Sequence, residues 1–302
     1  MGEQPVQTSP LAALQVRLHG YRLRVAGSAP DVDPLRPLFF SRCQEPPAAP
    51  PDDLMEIRRA DSAYEVHREG EGKAFEGEEW SDVFWWLDEW FFEKALARAD
   101  ACLHIHAAAV AREGRAILLI GDSHAGKSTL ALHLLLRGWR FLTDETVLVD
   151  PASLSLRPFP RNLVVREDTV TEDPSAARLC RGWDACRLEG SGYAPRWFVD
   201  PALLGSPDIP EAAEVERIVC LRRKESGPAV IEEVGARAAV EDMVRQQSNL
   251  RWYGAAAGVD TMIRLAGLGR NLRLSALHPG EAWEALRGEL GLARAAGVEA
   301  AR

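Results

Sequence analysis

The chain has 302 residues, 46% hydrophobic and 27% charged, with a formal net charge of −9 at pH 7. Such proportions suit a soluble globular protein, and the negative balance argues against a general nucleic-acid or anionic-membrane surface. No stretch approaches the roughly 18 apolar residues of a membrane span, and the opening Met-Gly-Glu-Gln-Pro has no basic or apolar targeting region, so a cytoplasmic protein is expected, with no nucleic-acid or membrane partner.

At this length, one large domain plus a smaller one is expected. Leu14-Val16-Leu18 and Tyr21-Leu23-Val25 alternate with polar residues around His19-Gly20, which predicts two strands joined by a tight turn. The proline-rich stretch from Pro30 to Pro51 reads as an irregular connection. A weaker strand pair centres on Ile57 and on Tyr64 and Val66, turning at Ala60-Asp61-Ser62. The acidic run Glu69 to Glu79 then leads into Trp80 to Ala99, whose apolar residues recur at helical spacing. That helix carries Trp80, Trp85, Trp86, Trp90, Phe91 and Phe92, an aromatic load that reads as a seam between domains in preference to a recognition surface. Residues 1–99 are thus expected to form a small β-rich module closed by an aromatic helix, and residues 100–302 a larger α/β domain.

In that second part, Leu103 to Ala111 and Arg115 to Ile120 read as strands around Arg112-Glu113-Gly114, and a helix is predicted to end at Arg137-Gly138. The next apolar run, Trp139 to Leu142, leads through Thr143 to the acids Asp144 and Glu145 and then to a second apolar run. Further on, Val215 to Arg222 and Ala229 to Val234 read as paired strands around Glu225-Ser226-Gly227. Ala236 to Tyr253 follows as a helix, Asn271 to Leu277 as a last strand, and a terminal helix from Glu281. Arg222-Arg223-Lys224 reads as a solvated strand end in preference to a phosphate clamp. The five cysteines (Cys43, Cys102, Cys180, Cys186, Cys220) are odd in number and lack a CxxC pair, as suits reduced thiols. Cys102, His104 and His106 share one strand face, where packing or an active-site histidine is favoured over a metal site.

Between the predicted strand Ala116 to Ile120 and the predicted helix lies Gly121-Asp122-Ser123-His124-Ala125-Gly126-Lys127-Ser128-Thr129. Glycines at 121 and 126 let the backbone curl until its N–H groups point inward at phosphate oxygens. Lys127 supplies a point charge for the β- and γ-phosphates, Ser128 a hydroxyl for Mg²⁺, and the helix start a positive dipole end. The spacing predicts a nucleoside triphosphate site with Mg²⁺, with ATP and GTP both open at this point. Lysine is scarce, at Lys73, Lys94, Lys127 and Lys224, and one of the four falls where this loop needs it. Asp144 and Glu145, one helix and one strand later, can reach both Mg²⁺ and a hydroxyl beside the γ-phosphate.

The order His106-Ala107, strand, Gly-Asp-Ser-x-x-Gly-Lys-Ser, helix, Arg-Gly-Trp-Arg, Leu-Thr-Asp-Glu resembles the catalytic core of HPr kinase/phosphorylase and its kinase-like relatives. The resemblance is close over residues 102–150, weakens afterwards and does not extend to residues 1–98. It implies an α/β P-loop core of the type shared with the ATP-dependent phosphoenolpyruvate carboxykinases. It further implies a kinase acting on a hydroxyl, with a serine of a peptide or protein as partner; a homo-oligomer is compatible with it. In its terms Lys127 is the phosphate lysine, Ser128 the Mg²⁺ ligand, Asp144 the general base and Glu145 a metal partner, with His106 just before the loop hairpin. Arg161 is a further candidate for charge neutralisation at the phosphates.

Two residues depart from the family pattern: His124 replaces a loop glycine, and Glu145 replaces an aspartate. The family's acidic-Arg-Gly-x-Gly signature is also missing; Arg161, Arg166 and Glu167 stand near its place, so reversible phosphorolysis is not expected. The alternatives are a nucleotide-binding regulatory or scaffold protein and a small-molecule kinase. Lys127→Ala is expected to lose most of the thermal stabilisation that ATP with Mg²⁺ confers on the wild type; equal stabilisation of both proteins would remove the phosphate-loop assignment.

Overall fold

The computed structural model describes residues 11–60, 62–181, 187–190, 193–204 and 208–292, apart from the side chains of Tyr193 and Trp252. The opening pentapeptide, Asp61 of the expected turn, and Cys186 lie outside the described residues. The other four cysteines are buried.

β1 (Leu11–Leu18) and β2 (Tyr21–Ser28) form the expected hairpin, with Leu18 opposite Tyr21. His19 and Gly20 take φ of 47° and 84°, the double positive φ that matches a two-residue loop to strand twist. The proline-rich connection contains only α1 (Ala29–Val32), two short 3₁₀ turns and the two-residue β3 (Gln44–Glu45). β4 (Asp53–Arg59) runs parallel to β2, and β5 (Tyr64–Arg68) returns antiparallel to β4. The sheet order is β3-β1-β2-β4-β5-β6, where β6 (Gly72–Gly77) lies in the acidic run read from sequence as a connection. Only Phe75 turns inward there, stacking on Trp86 at 5.4 Å, so this mostly exposed edge strand carries no alternating signal.

α2 (Trp80–Ala97) opens with a capping box between Glu79 and Asp82. It buries Val83, Phe84, Leu87, Phe91, Phe92 and Ala95 over the first sheet. Phe84 also meets Phe39 at 5.7 Å and Phe198 at 5.1 Å edge-on, so the helix joins the first sheet to later parts of the chain.

The second sheet begins with the hairpin of β7 (Leu103–Arg112) and β8 (Arg115–Ile120), followed by α3 (Lys127–Leu135), β9 (Arg140–Thr143), β10 (Thr146–Val149) and β11 (Leu156–Arg157). β12 (Leu163–Arg166), α4 (Glu167–Glu172), α5 (Pro174–Cys180), β13 (Arg187–Gly190) and β14 (Tyr193–Val199) then supply a separate antiparallel sheet, β12-β14-β13. The chain returns through β15 (Glu214–Arg223), β16 (Val230–Glu233), α6 (Ala236–Arg245), α7 (Leu250–Tyr253), α8 (Ala255–Ala266), β17 (Arg270–Ala276) and α9 (Pro279–Glu289). The order is β11-β10-β7-β8-β15-β17-β16, with β9 on β7. The result is a mixed α/β fold.

Two expectations fail here. β15 and β16 do not pair with each other: β15 lies parallel to β8 and β17, and β16 pairs with β17. β15 buries Ile218, Val219, Cys220 and Leu221 on both faces, the signature of a central parallel strand. The single helix expected from Ala236 to Tyr253 is broken after Arg245, where the backbone leaves it to bond β7, His106 N–H donating to Gln246 O at 2.6 Å and Ser248 N–H to His104 O at 3.1 Å. The fully buried Asn249 fixes the break, accepting from His104 N–H and donating to Cys102 O, both at 2.9 Å. α8 was not anticipated. Among the described residues, no helix is long and apolar enough to cross a membrane.

Because Phe84 is fully buried where α2, the first sheet and β14 meet, Phe84→Ala should cost about 3–5 kcal/mol of stability. Urea unfolding measures it; a loss under about 1 kcal/mol, the scale of a surface change, would refute the helix's place as the joint.

Candidate functional site

The site starts where β8 runs out. A Cβ on Gly121 would lie 3.0 Å from the Leu221 carbonyl oxygen, so the turn out of the strand passes too close to β15 for a side chain. His124 then takes φ of 69° and Gly126, directly before α3, φ of 96°. A left-handed histidine is tolerated more readily than a β-branched residue. Gln246 Nε2 donates to Asp122 Oδ1 at 2.8 Å, pinning the loop from the segment that interrupts the expected helix.

Lys127, only 7% exposed, folds back over the loop, and its Nζ donates to the carbonyls of Gly121 at 2.7 Å and Asp122 at 3.2 Å. Burial lowers its pKa, while Asp144, Glu145 and Asp122 work against the shift. Ser128 and Thr129 follow in the first turn of α3, facing the same cavity.

The paired acids occupy the tight link between β9 and β10 and differ in depth. Asp144 is 6% exposed, and its Oδ1 has no hydrogen-bond partner. Burial, and then the charge of Glu145, pushes its pKa up to about 7, with the Ser128 hydroxyl, Lys127 and Arg161 pulling the other way. The Glu145 side chain is 52% exposed and lies 3.4 Å from His106 Nδ1. Pairing of β10 with β7 sets Thr146 opposite His106, which brings the two side chains abreast. Burial lowers the His106 pKa, opposed by Glu145.

Thus Gly121–Thr129, His106, Asp144, Glu145 and Arg161, far apart in sequence, converge, and most line one cavity of about 820 Å³. Arg161 Nη2 donates to Asp88 Oδ2 at 2.7 Å. Asp88 and its neighbours Trp85, Glu89, Phe92 and Glu93 on α2 form a wall of this cavity that sequence reasoning missed, since polar positions on an aromatic packing helix give no local signal. Arg166 was noted only as near a missing signature; its guanidinium lies against both ring nitrogens of His124, 2.8 Å from Nε2, and pairs with Asp168 at 2.6 Å. Arg222 and Arg223 reach the cavity edge, Arg222 paired with Asp242. His104 turns away from His106, its Nε2 2.9 Å from Ala99 O, and among the described residues no three His, Cys, Asp or Glu cluster as a metal centre.

The residues fit Mg²⁺ in another manner: the Ser128 hydroxyl and the half-exposed Glu145 carboxylate line the same cavity, hard oxygen donors of the kind this ion takes with its remaining positions filled by phosphate and water.

No family model and no curated protein matches the sequence. Among solved structures the chain is similar to the HPr(Ser) kinase/phosphatase from Coxiella burnetii, at 14% identity, covering 62% of this chain and 90% of that one with a TM-score of 0.32. A likeness of that degree carries no argument about activity.

A raised carboxyl pKa favours the native state below its ordinary value of 3.8, and that gain is lost as pH rises through about 7. In nucleotide-free protein, Asp144→Asn should therefore raise Tm at pH 8, with the gap over wild type closing toward pH 4. A gap of constant size across that range would show that Asp144 is not buried as a neutral acid.

Proposed function

We propose that the chain is an ATP- and Mg²⁺-dependent phosphotransferase moving the γ-phosphoryl group to a hydroxyl, with serine of a peptide or protein as the favoured acceptor. One observation carries the reading: a strand-loop-helix turn with left-handed His124 and Gly126 sets Lys127 and Ser128 in the same cavity as a buried Asp144 whose Oδ1 lacks a partner. In this reading the N–H groups of the loop and of the start of α3 receive the phosphate oxygens, and Lys127 exchanges the carbonyls of Gly121 and Asp122 for the terminal phosphates. Ser128 and Glu145 hold Mg²⁺, which when bound neutralises charge shared by the β- and γ-phosphates. Asp144 accepts the proton of the incoming hydroxyl at Oδ1, a task suited to a pKa near 7. The hydroxyl oxygen forms the new bond to phosphorus as the β–γ bridging bond breaks, and ADP carries away that bridging oxygen. His106 orients Glu145 from 3.4 Å.

A nucleotide-binding regulator is the second reading, and the contact of Arg166 with His124 across the loop favours it, because an arginine engaged there is not free for transfer.

With γ-labelled ATP and serine peptides, carrier proteins or small hydroxyl compounds as acceptors, the wild type should transfer label. Asp144→Asn should keep nucleotide affinity within a few-fold and cut transfer by about a hundredfold or more, the scale of a positioned base. Binding without labelling of any acceptor supports the regulator. Unimpaired transfer by Asp144→Asn together with loss in Glu145→Gln would exchange the roles of the two acids.

A further inference from the structure

Building on the phosphotransferase reading, we propose that Asp88 on α2 is a positioning residue that holds Arg161 for the γ-phosphate, making the N-terminal helix part of the transfer machinery. The Asp88 side chain is 8% exposed and that of Arg161 16%, and they meet at 2.7 Å. The guanidinium also lies over the Phe92 ring, 4.5 Å from its centroid, one turn further along α2. That bond to Asp88 is its one hydrogen bond among the described residues, although an arginine carries five N–H donors. Its other nitrogens are not among the sealed, unpartnered atoms, and Arg161 lines the cavity with Lys127, Ser128 and Asp144. Among the described residues, one donor of the fork is therefore anchored, and the rest remain unengaged at the cavity lining.

The backbone that delivers Arg161 is clamped by the first hundred residues. Phe159 stacks on His19 at 5.4 Å and meets Phe92 edge-on at 5.7 Å. Asn162 Nδ2 donates to Pro37 O and Leu38 O, both at 3.0 Å. The chain on either side of Arg161 is thus held before any ligand arrives, which lowers the ordering cost of a phosphate contact.

A buried ion pair of this kind is commonly no more stabilising than apolar residues of similar volume, so stability alone gives no reason for Asp88 to face Arg161. Burial works against the Arg161 charge, but Asp88, Glu145 and Asp144 outweigh it and keep the guanidinium firmly protonated. A planar fork can keep its bond to Asp88 while offering its remaining donors to phosphate oxygens. ADP lacks the group those donors would meet.

The experiment compares thermal-shift affinities of the full chain for ADP and for a non-hydrolysable ATP analogue, each with Mg²⁺. Wild type should prefer the ATP analogue. Asp88→Asn and Arg161→Gln should each keep ADP affinity and lose about tenfold or more of that preference, the scale of a charge-assisted hydrogen bond. Because Asp88 acts through Arg161, the double variant should lose no more than Arg161→Gln alone. Arg161→Lys retains the charge without the fork and should also lose the preference, which keeps the test open if Asp88→Asn fails to fold. Intact preference in Asp88→Asn that binds ADP, or additive losses in the double variant, overturns the role of Asp88, and intact preference in Arg161→Gln or Arg161→Lys overturns that of Arg161 with it; either leaves the phosphotransferase reading standing. Failure of the wild type to bind either nucleotide overturns the phosphotransferase reading as well.

Discussion

The turn out of β8 governs the site. β8 is locked in register beside β15, with Ile120 opposite Cys220, so the neighbouring strand cannot step aside where the chain must leave the sheet. A Cβ on Gly121 would lie 3.0 Å from atoms of Leu221 and Ala125, and the chain then climbs through left-handed His124 and Gly126 into α3. That path brings the first free N–H groups of α3 to the cavity and sends Lys127 back over the loop carbonyls. A one-residue slip of β8 would reverse its faces and break the alignment of its end with β15, on which the cavity depends.

Around this turn the structure concentrates charges that would be costly in isolation. Lys127 and Arg161 share the cavity with Asp144, Glu145 and Asp88; burial works against the charges of Lys127, Arg161 and Asp144, while the charge of Asp144 supports those of Lys127 and Arg161. Groups so arranged contribute little to folding, so other contacts must hold them. Asn249 fixes the N-terminal end of β7, Gln246 pins Asp122, and Asn162 ties the Arg161 segment to Pro37 and Leu38. Each is a polar side chain bonding across more than a hundred residues of sequence.

Legibility followed the range of the interactions. The His19-Gly20 and Glu113-Gly114 turns could be read because positive φ is a local demand met by local residues. The loop after β8 could be read because strand, glycine loop and helix are contiguous. β6 could not, since its pairing to β5 is made by backbone while its side chains face solvent. The break after α6 could not either, because Asn249 is held by His104 on β7 and by Cys102 just before it.

By itself the sequence determined the β1–β2, β4–β5 and β7–β8 hairpins, the strand-loop-helix around Lys127 and the acids that close the following strand, since backbone sterics and apolar alternation act over a few residues. Tertiary structure alone decided that β17 separates β15 from β16, that Asp144 is buried with an unpartnered oxygen while Glu145 reaches toward solvent, and that α2 lends Asp88 to Arg161. Those outcomes depend on desolvation and on contacts between distant segments, and both come into being only when the sheets and helices pack.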